Sequence, residues 1–271
     1  MELKGKCAIV TGAARGIGRG MALKLADAGA NLALVDLGNP ADATLTYNLA
    51  AQTELSRTVE EVKRRGVRAA AILADVTRWG DCQRMASEAE SALGGIDILC
   101  NNAGIIAVGP VESFSEQTWD RVMGVNVKGV FLCSKACIPA MRKRGGGAII
   151  NTASVAGKTG RGNVAAYCTS KFAVVGFTQS LAEELGPDNI RVNAVCPGFL
   201  HTAMWSDVLD PVVAPSLGVN REAAFDTYVE RNTFLRRAQT PDDIGDAVVY
   251  LCRADNITGV ALNVAGGAEM H

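Results

Sequence analysis

An excess of either charge is missing from this 271-residue chain: 27 Lys and Arg stand against 28 Asp and Glu, a net charge of -1. Such a balance leaves no electrostatic footprint for nucleic acid or an anionic membrane. Aromatic residues make up only 5%, too few for a base-stacking platform. The 8 cysteines are dispersed, without the spacing of a disulfide scaffold. Cys133 and Cys137 share a helical face, but no His or second cysteine pair joins them, so no metal site is expected. All eight read as small buried hydrophobes in a reducing compartment. No apolar run of about 18 residues is evident that would span a bilayer. Met1–Lys6 leads into a short apolar strand rather than a signal segment, and the expectation is a soluble, cytoplasmic protein. Linkers, composition shifts and internal repeats are also lacking, which predicts a single domain over residues 1–271.

What is present is alternation. Short β-branched apolar runs at Cys7–Thr11, Leu32–Asp36, Ala69–Ala74, Ile96–Cys100, Ala148–Thr152, Arg191–Val195 and Val260–Val264 predict strands. Helical periodicity fills most gaps, at Ile17–Ala28, Leu55–Arg65, Trp79–Leu93, Glu116–Lys143, Ala166–Leu185 and Asp242–Arg253. Gly29, Gly66, Gly94-Gly95 and Gly186-Pro187 stop four of these helices. Right-handed crossovers between successive parallel strands then leave a doubly wound α/β fold, a parallel sheet of about seven strands. Two stretches break the rhythm. Gly38–Thr53, carrying Pro40, Tyr47 and Asn48, is about a dozen residues longer than a tight turn needs and reads as an insertion. His201–Arg237, with Pro211, Pro215 and Gly218, has the pattern of a lid that begins near Phe199.

The glycines are placed rather than scattered. Thr11-Gly12-Ala13-Ala14-Arg15-Gly16-Ile17-Gly18 joins the first strand to the first helix. Glycines let the backbone turn tightly and approach a pyrophosphate, whose charge is favoured by the N–H groups of a helix N-terminus. A purely structural turn would look the same in isolation, but the second strand ends on an acid, Asp36, about where a ribose 2′-hydroxyl meets a carboxylate. A carboxylate repels a 2′-phosphate by about 3 kcal/mol per charge pair at about 5 Å and an effective dielectric of about 20. Asp36 therefore points to NAD over NADP. Arg15 is the opposing observation: it is either a phosphate partner or a solvated side chain.

Tyr167 and Lys171 stand four residues apart on one predicted helical face, and Ser154 follows the fifth strand. At the carboxyl ends of a parallel sheet the three can share a pocket; taken singly they would be a surface helix pair and a turn serine. Alcohol oxidation removes a hydroxyl proton while a hydride leaves the carbon. Bringing a tyrosine from about 10 to about 7 needs roughly 4 kcal/mol of phenolate stabilisation. The Lys171 ammonium and a positive nicotinamide ring have the required sign, and Ser154 would hold the substrate oxygen.

Together these residues resemble the short-chain dehydrogenase/reductase family, in its NAD-preferring branch, over nearly the whole chain. Thr11–Gly18 is similar to the family's TGxxxGxG turn. The resemblance implies a Rossmann-like fold, Asp75 near the adenine amino group and Val76 against the ring, and Asn101-Asn102-Ala103-Gly104 flooring the cofactor site. It implies that Asn126 is a fourth catalytic residue, at a main-chain kink with a water-mediated relay to Lys171. Pro197, Gly198 and Thr202 would contact the nicotinamide carboxamide, and Leu37 the adenosine end beside Asp36, where the insertion departs from the family's usual loop. A homotetramer through the helices at Glu116–Lys143 and Ala166–Leu185 is also implied.

The predicted substrate walls are apolar. They comprise Ile105 and Ile106, Val155-Ala156-Gly157, Val164 and the Phe199–Leu217 stretch with Met204 and Trp205. That stretch has no Lys or Arg to clamp a phosphate or carboxylate. The reading is an NAD-dependent dehydrogenase of a secondary alcohol such as a polyol, sugar alcohol, diol or cyclic alcohol. The alternatives are an NADPH-dependent reductase of a carrier-bound or steroid-like ketone and, from another class, a nucleotide-binding regulator without turnover.

Overall fold

The computed structural model describes residues 1–38, 41, 42, 45 and 47–271; Pro40 of the insertion lies outside the described residues. Seven parallel strands form one sheet: β1 (Cys7–Thr11), β2 (Asn31–Asp36), β3 (Ala69–Leu73), β4 (Ile98–Asn101), β5 (Gly147–Thr152), β6 (Ile190–Pro197) and β7 (Ala261–Val264). Their order is β3-β2-β1-β4-β5-β6-β7. Strands buried on both faces need apolar residues at nearly every position, which is why β1, β2 and β6 read as continuous apolar runs.

Side-chain alternation divides those strands between two cores. Cys7, Ile9 and Ile149 face the layer of α3 (Trp79–Leu93), α5 (Gly129–Lys143) and α6 (Ala165–Leu185). Ala8, Val10, Ala148 and Ile150 face α1 (Gly16–Asp27), α2 (Gln52–Lys63) and α9 (Pro241–Arg253). The result is a single α/β domain of three layers, with the loops at the carboxyl ends of the strands gathered over one edge.

Several predicted boundaries move. The helix expected over Glu116–Lys143 is continuous but divides into α4 (Glu116–Met123), one π-turn at Gly124–Lys128, and α5. The Gly129 N–H donates to the Gly124 carbonyl, a five-residue step. By length and composition this 28-residue stretch passes as a membrane span, contrary to the expectation of no such run, but half of its apolar window is buried in the domain. The predicted lid folds into a π-turn at Trp205–Leu209, α7 (Asp210–Leu217) and α8 (Arg221–Asn232). Trp205, Phe225 and Val229 form its small core. All eight cysteines are buried and free.

Candidate active site

A cleft of about 440 Å³ opens along the carboxyl ends of β2, β1, β4, β5 and β6, a size within the range of small-molecule sites. Its floor is tied together by Thr11 and Asn102. Thr11 Oγ1 accepts from the N–H groups of Asn102 and Ala103 at 2.9 and 3.1 Å. Asn102 Nδ2 donates to the carbonyls of Thr11 and Gly12 at 2.9 and 3.2 Å. Gly12 takes a φ of +64°, and a Cβ there would lie 2.9 Å from the Ala103 Cα. On Gly18 it would lie 2.1 Å from the Gly12 carbonyl oxygen. Glycine is thus required by close packing at both positions.

The N-terminus of α1 opens onto this floor. Arg15 stands at its N-cap without a side-chain capping bond, and the first turn holds no acid. Among the described residues the N–H groups of the first turn therefore have no capping side chain, which suits an anion such as a pyrophosphate. All the candidate cofactor residues line the cleft: Gly12, Arg15, Gly16, Ile17, Gly18, Asp36, Leu37, Asp75, Val76, Asn102, Ala103, Gly104, Tyr167, Lys171, Pro197, Gly198 and Thr202.

At the adenosine-sized end, Asp36 Oδ2 accepts from the Ala14 N–H at 3.0 Å and Oδ1 from the Leu37 N–H at 2.8 Å. Burial raises its pKa, and these N–H groups and Arg15 pull the other way. Arg15 is engaged elsewhere: its Nη2 donates to the Asn48 carbonyl at 2.6 Å, and Glu54 lies 4.0 Å from Nη1. Other described residues between 38 and 53 make contacts across the cleft. The Ile106 N–H donates to Tyr47 Oη at 3.1 Å, and Arg121 Nε donates to Asp42 at 2.7 Å.

Ser154, Tyr167 and Lys171 converge at the other end. A 3-10 turn at Val155–Gly157 carries Ser154 as its N-cap, and the first turn of α6 carries Tyr167. Lys171, 4% exposed, donates from Nζ to the Thr152 carbonyl at 2.7 Å. Its Nζ sits 5.5 Å from the Tyr167 ring centre. Burial pushes the phenol up to about 12, offset in part by a hydrogen bond with Ser154. Burial also pulls the Lys171 ammonium down to about 8. Desolvation is the largest effect on both groups.

Asn126 lies beneath the cleft rather than in its wall, at the middle of the π-turn. Its Oδ1 accepts from the Ile105 N–H at 2.9 Å, and its Nδ2 donates to the Ile105 carbonyl and to Ser170 Oγ, each at 2.9 Å. The amide therefore fixes the loop after β4 against the helix that bears Tyr167.

Of the candidate substrate residues, Ser154, Tyr167 and Met204 line the cleft. Ile106, Ala156, Phe199 and Trp205 do not. Trp205 is 5% exposed, stacked edge-on to Phe199 and Phe225 at 5.8 and 5.0 Å, and its Nε1 donates to Asp210 at 2.5 Å. Phe199 and Trp205 thus pack into the small core with Phe225 and Val229 rather than into the cleft wall. Tyr47, Arg121, Thr152, Leu200 and His201 also line the cleft. Leu200 and His201 belong to the predicted Phe199–Leu217 wall; no spacing motif points to Arg121 or Thr152, and Tyr47 is marked only by its place in an over-long loop. Among the described residues no cluster of His, Cys, Asp or Glu could hold a metal.

The family model for short chain dehydrogenase matches residues 6–212. A 3-oxoacyl-(acyl-carrier-protein) reductase of Staphylococcus epidermidis is 36% identical over 267 residues, covering 98% of this chain and 99% of that protein. The 2-(S)-hydroxypropyl-CoM dehydrogenase 3 of Xanthobacter autotrophicus is 36% identical over 269 residues, 98% of this chain and 97% of its own. Among solved structures, carveol dehydrogenase from Mycobacterium avium in complex with NAD matches with a TM-score of 0.93 at 30% identity over 98% of both chains.

Proposed function

The chain belongs to the short chain dehydrogenase family, oxidoreductases that act on alcohol or keto groups with a nicotinamide cofactor, and from that premise we propose that it is an NAD-dependent dehydrogenase of a secondary alcohol. The substrate class is a polyol, sugar alcohol, diol or cyclic alcohol, and the protein works in the cytoplasm as a homotetramer. One observation carries the cofactor preference: Asp36 holds a carboxylate at the end of β2 while Arg15, the one nearby cation of the turn, is drawn off to Asn48 and Glu54. A 2′-phosphate would meet the negative charge without its counterweight.

When bound, a nicotinamide cofactor supplies the hydride acceptor and a positive charge beside the phenol. The chain's own residues do the rest. Ser154 Oγ holds the alcohol oxygen toward Tyr167, and Tyr167 Oη takes its proton. Lys171, anchored on the Thr152 carbonyl, presents its remaining N–H donors to the cleft and favours the phenolate. Asn126 keeps the floor rigid beneath them. The lid over 199–237 closes on the substrate, and its Phe199–Leu217 stretch has no Lys or Arg, which favours a neutral alcohol.

A second reading is reduction of a carrier-bound 3-oxo group, and the 36% identity to a 3-oxoacyl-(acyl-carrier-protein) reductase favours it. A panel of polyols, diols and cyclic alcohols, run with NAD and NADP in parallel, separates the two. The expected result is turnover of one alcohol class with a higher kcat/KM for NAD. A preference for NADP, or activity confined to thioester ketones, would move the assignment to the second reading.

A further inference from the structure

Thr152, the last residue of β5, is 7% exposed and lines the cleft. Its hydroxyl is buried with no hydrogen-bond partner among the described residues. A buried hydroxyl left unpaired is costly and rare. Its direction follows from the strand. Asn151 points to the α6 layer, where its Nδ2 donates to Thr178 at 2.9 Å, so the next side chain points to the opposite face. On that face lie Ile150, Val195 and Leu200, and Thr152 pairs in register with Val195, two residues before Pro197. The side chain thus lies at the cleft floor, on the α1 side of β5 and β6.

The order of the sheet says which part of a dinucleotide arrives there. Asp36 ends β2, the anion-binding turn follows β1, and β4 and β5 come next. A dinucleotide with a ribose at Asp36 and its pyrophosphate at α1 lays its nicotinamide at the ends of β5 and β6. The polar appendage of that ring is a carboxamide, with two N–H donors and one acceptor. We propose that the Thr152 hydroxyl is a binding residue for the nicotinamide carboxamide and fixes the ring's orientation in the cleft. This rests on the reading of the cleft as a dinucleotide site.

The test is equilibrium binding of NAD, NADH and ADP-ribose, which lacks the nicotinamide, measured by calorimetry and by NADH fluorescence. In Thr152→Val the backbone carbonyl that holds Lys171 is kept and only the hydroxyl is lost. The expected result is binding of NAD and NADH weakened about three- to tenfold, the range of one neutral hydrogen bond, with ADP-ribose unchanged. Thr152→Ser should bind all three as the wild type does, and Thr152→Ala, free of the second branch methyl, should repeat the loss. Unchanged NAD affinity in the hydroxyl-free variants would overturn the inference. So would an equal loss for ADP-ribose, which would make Thr152 structural. Failure of the wild type to bind either NAD or ADP-ribose would overturn the dinucleotide reading itself, and that outcome is distinguishable from the first two.

Discussion

Tyr167 and Lys171 face the same desolvation with opposite consequences, and this shapes the pH behaviour. The phenol is held up at about 12 and the ammonium down at about 8. Oxidation needs the phenolate, so its rate should rise with pH; ketone reduction needs the phenol and should fall as it ionises. The apparent pKa of the oxidation limb in kcat/KM should lie well below 12 when cofactor is bound, because two positive charges then face the phenol. Lys171→Met removes one of them and should move that limb upward by at least about one unit. A pH profile unaltered in this variant would deny Lys171 an electrostatic role. Tyr167→Phe should lower turnover by at least about 10²-fold while NADH still binds, and undiminished turnover would remove Tyr167 as the base. Retained binding without turnover in the wild type would instead favour the regulator reading. At the other end of the cleft, Asp36→Ser removes the charge opposed to a 2′-phosphate. The kcat/KM ratio of NADP to NAD should rise at least about tenfold, and a ratio that stays put would assign the preference elsewhere.

At the scale of elements, legibility in the sequence tracked how local the cause was. The Thr11–Gly18 turn was readable because the demand for glycine arises within a few residues and from one short neighbouring segment, Asn102-Ala103. Strands β1, β2, β5 and β6 were readable because burial on both faces leaves a continuous apolar run. The π-turn was not: Gly124–Lys128 keeps the apolar period of the helix around it, and only the family resemblance marked Asn126. Helices α7 and α8 were also hidden, because Pro211 and Pro215 read as breaks while α7 tolerates one near its start and one within it. The start of α9 is set by Thr240-Pro241-Asp242-Asp243, where Thr240 and Asp243 form a capping box. The turn yields the sharpest element-scale prediction. In Gly18→Ala the new methyl meets backbone atoms of Gly12 at 2.1 and 2.8 Å and Asn102 Nδ2 at 2.5 Å. The turn must spread, so stability should fall by about 1–3 kcal/mol and dinucleotide binding should be lost. Chemical denaturation and calorimetry would check both, and wild-type values in either would show the turn to be looser than this packing.

For the whole molecule, two groups among the exposed apolar side chains lie on faces that could pack against another copy. Phe131 on α5 and Phe172 on α6 are 43% and 46% exposed, while Tyr250, Val260 and Met270 surround the outer edge at β7 with exposures of 53%, 40% and 75%. β7 is also the end strand of the sheet, and an end strand left bare is a template for wrong pairing. Two separate self-complementary patches, each closing on a two-fold axis, generate a tetramer of dihedral symmetry. Four 28.3-kDa chains in one particle are therefore the expected result of light scattering on the purified protein. Phe172→Asp should divide that particle into dimers joined through the β7 edge, and Val260→Asp into dimers joined through α5 and α6. The two variants should differ in activity as well. Phe172 follows Lys171 directly, so packing a neighbour against this face of α6 supports the helix that positions Tyr167 and Lys171. Dimers of Phe172→Asp should lose turnover more than dimers of Val260→Asp. A stable wild-type monomer with full turnover would show that the cleft is complete within one chain and that neither patch is an interface.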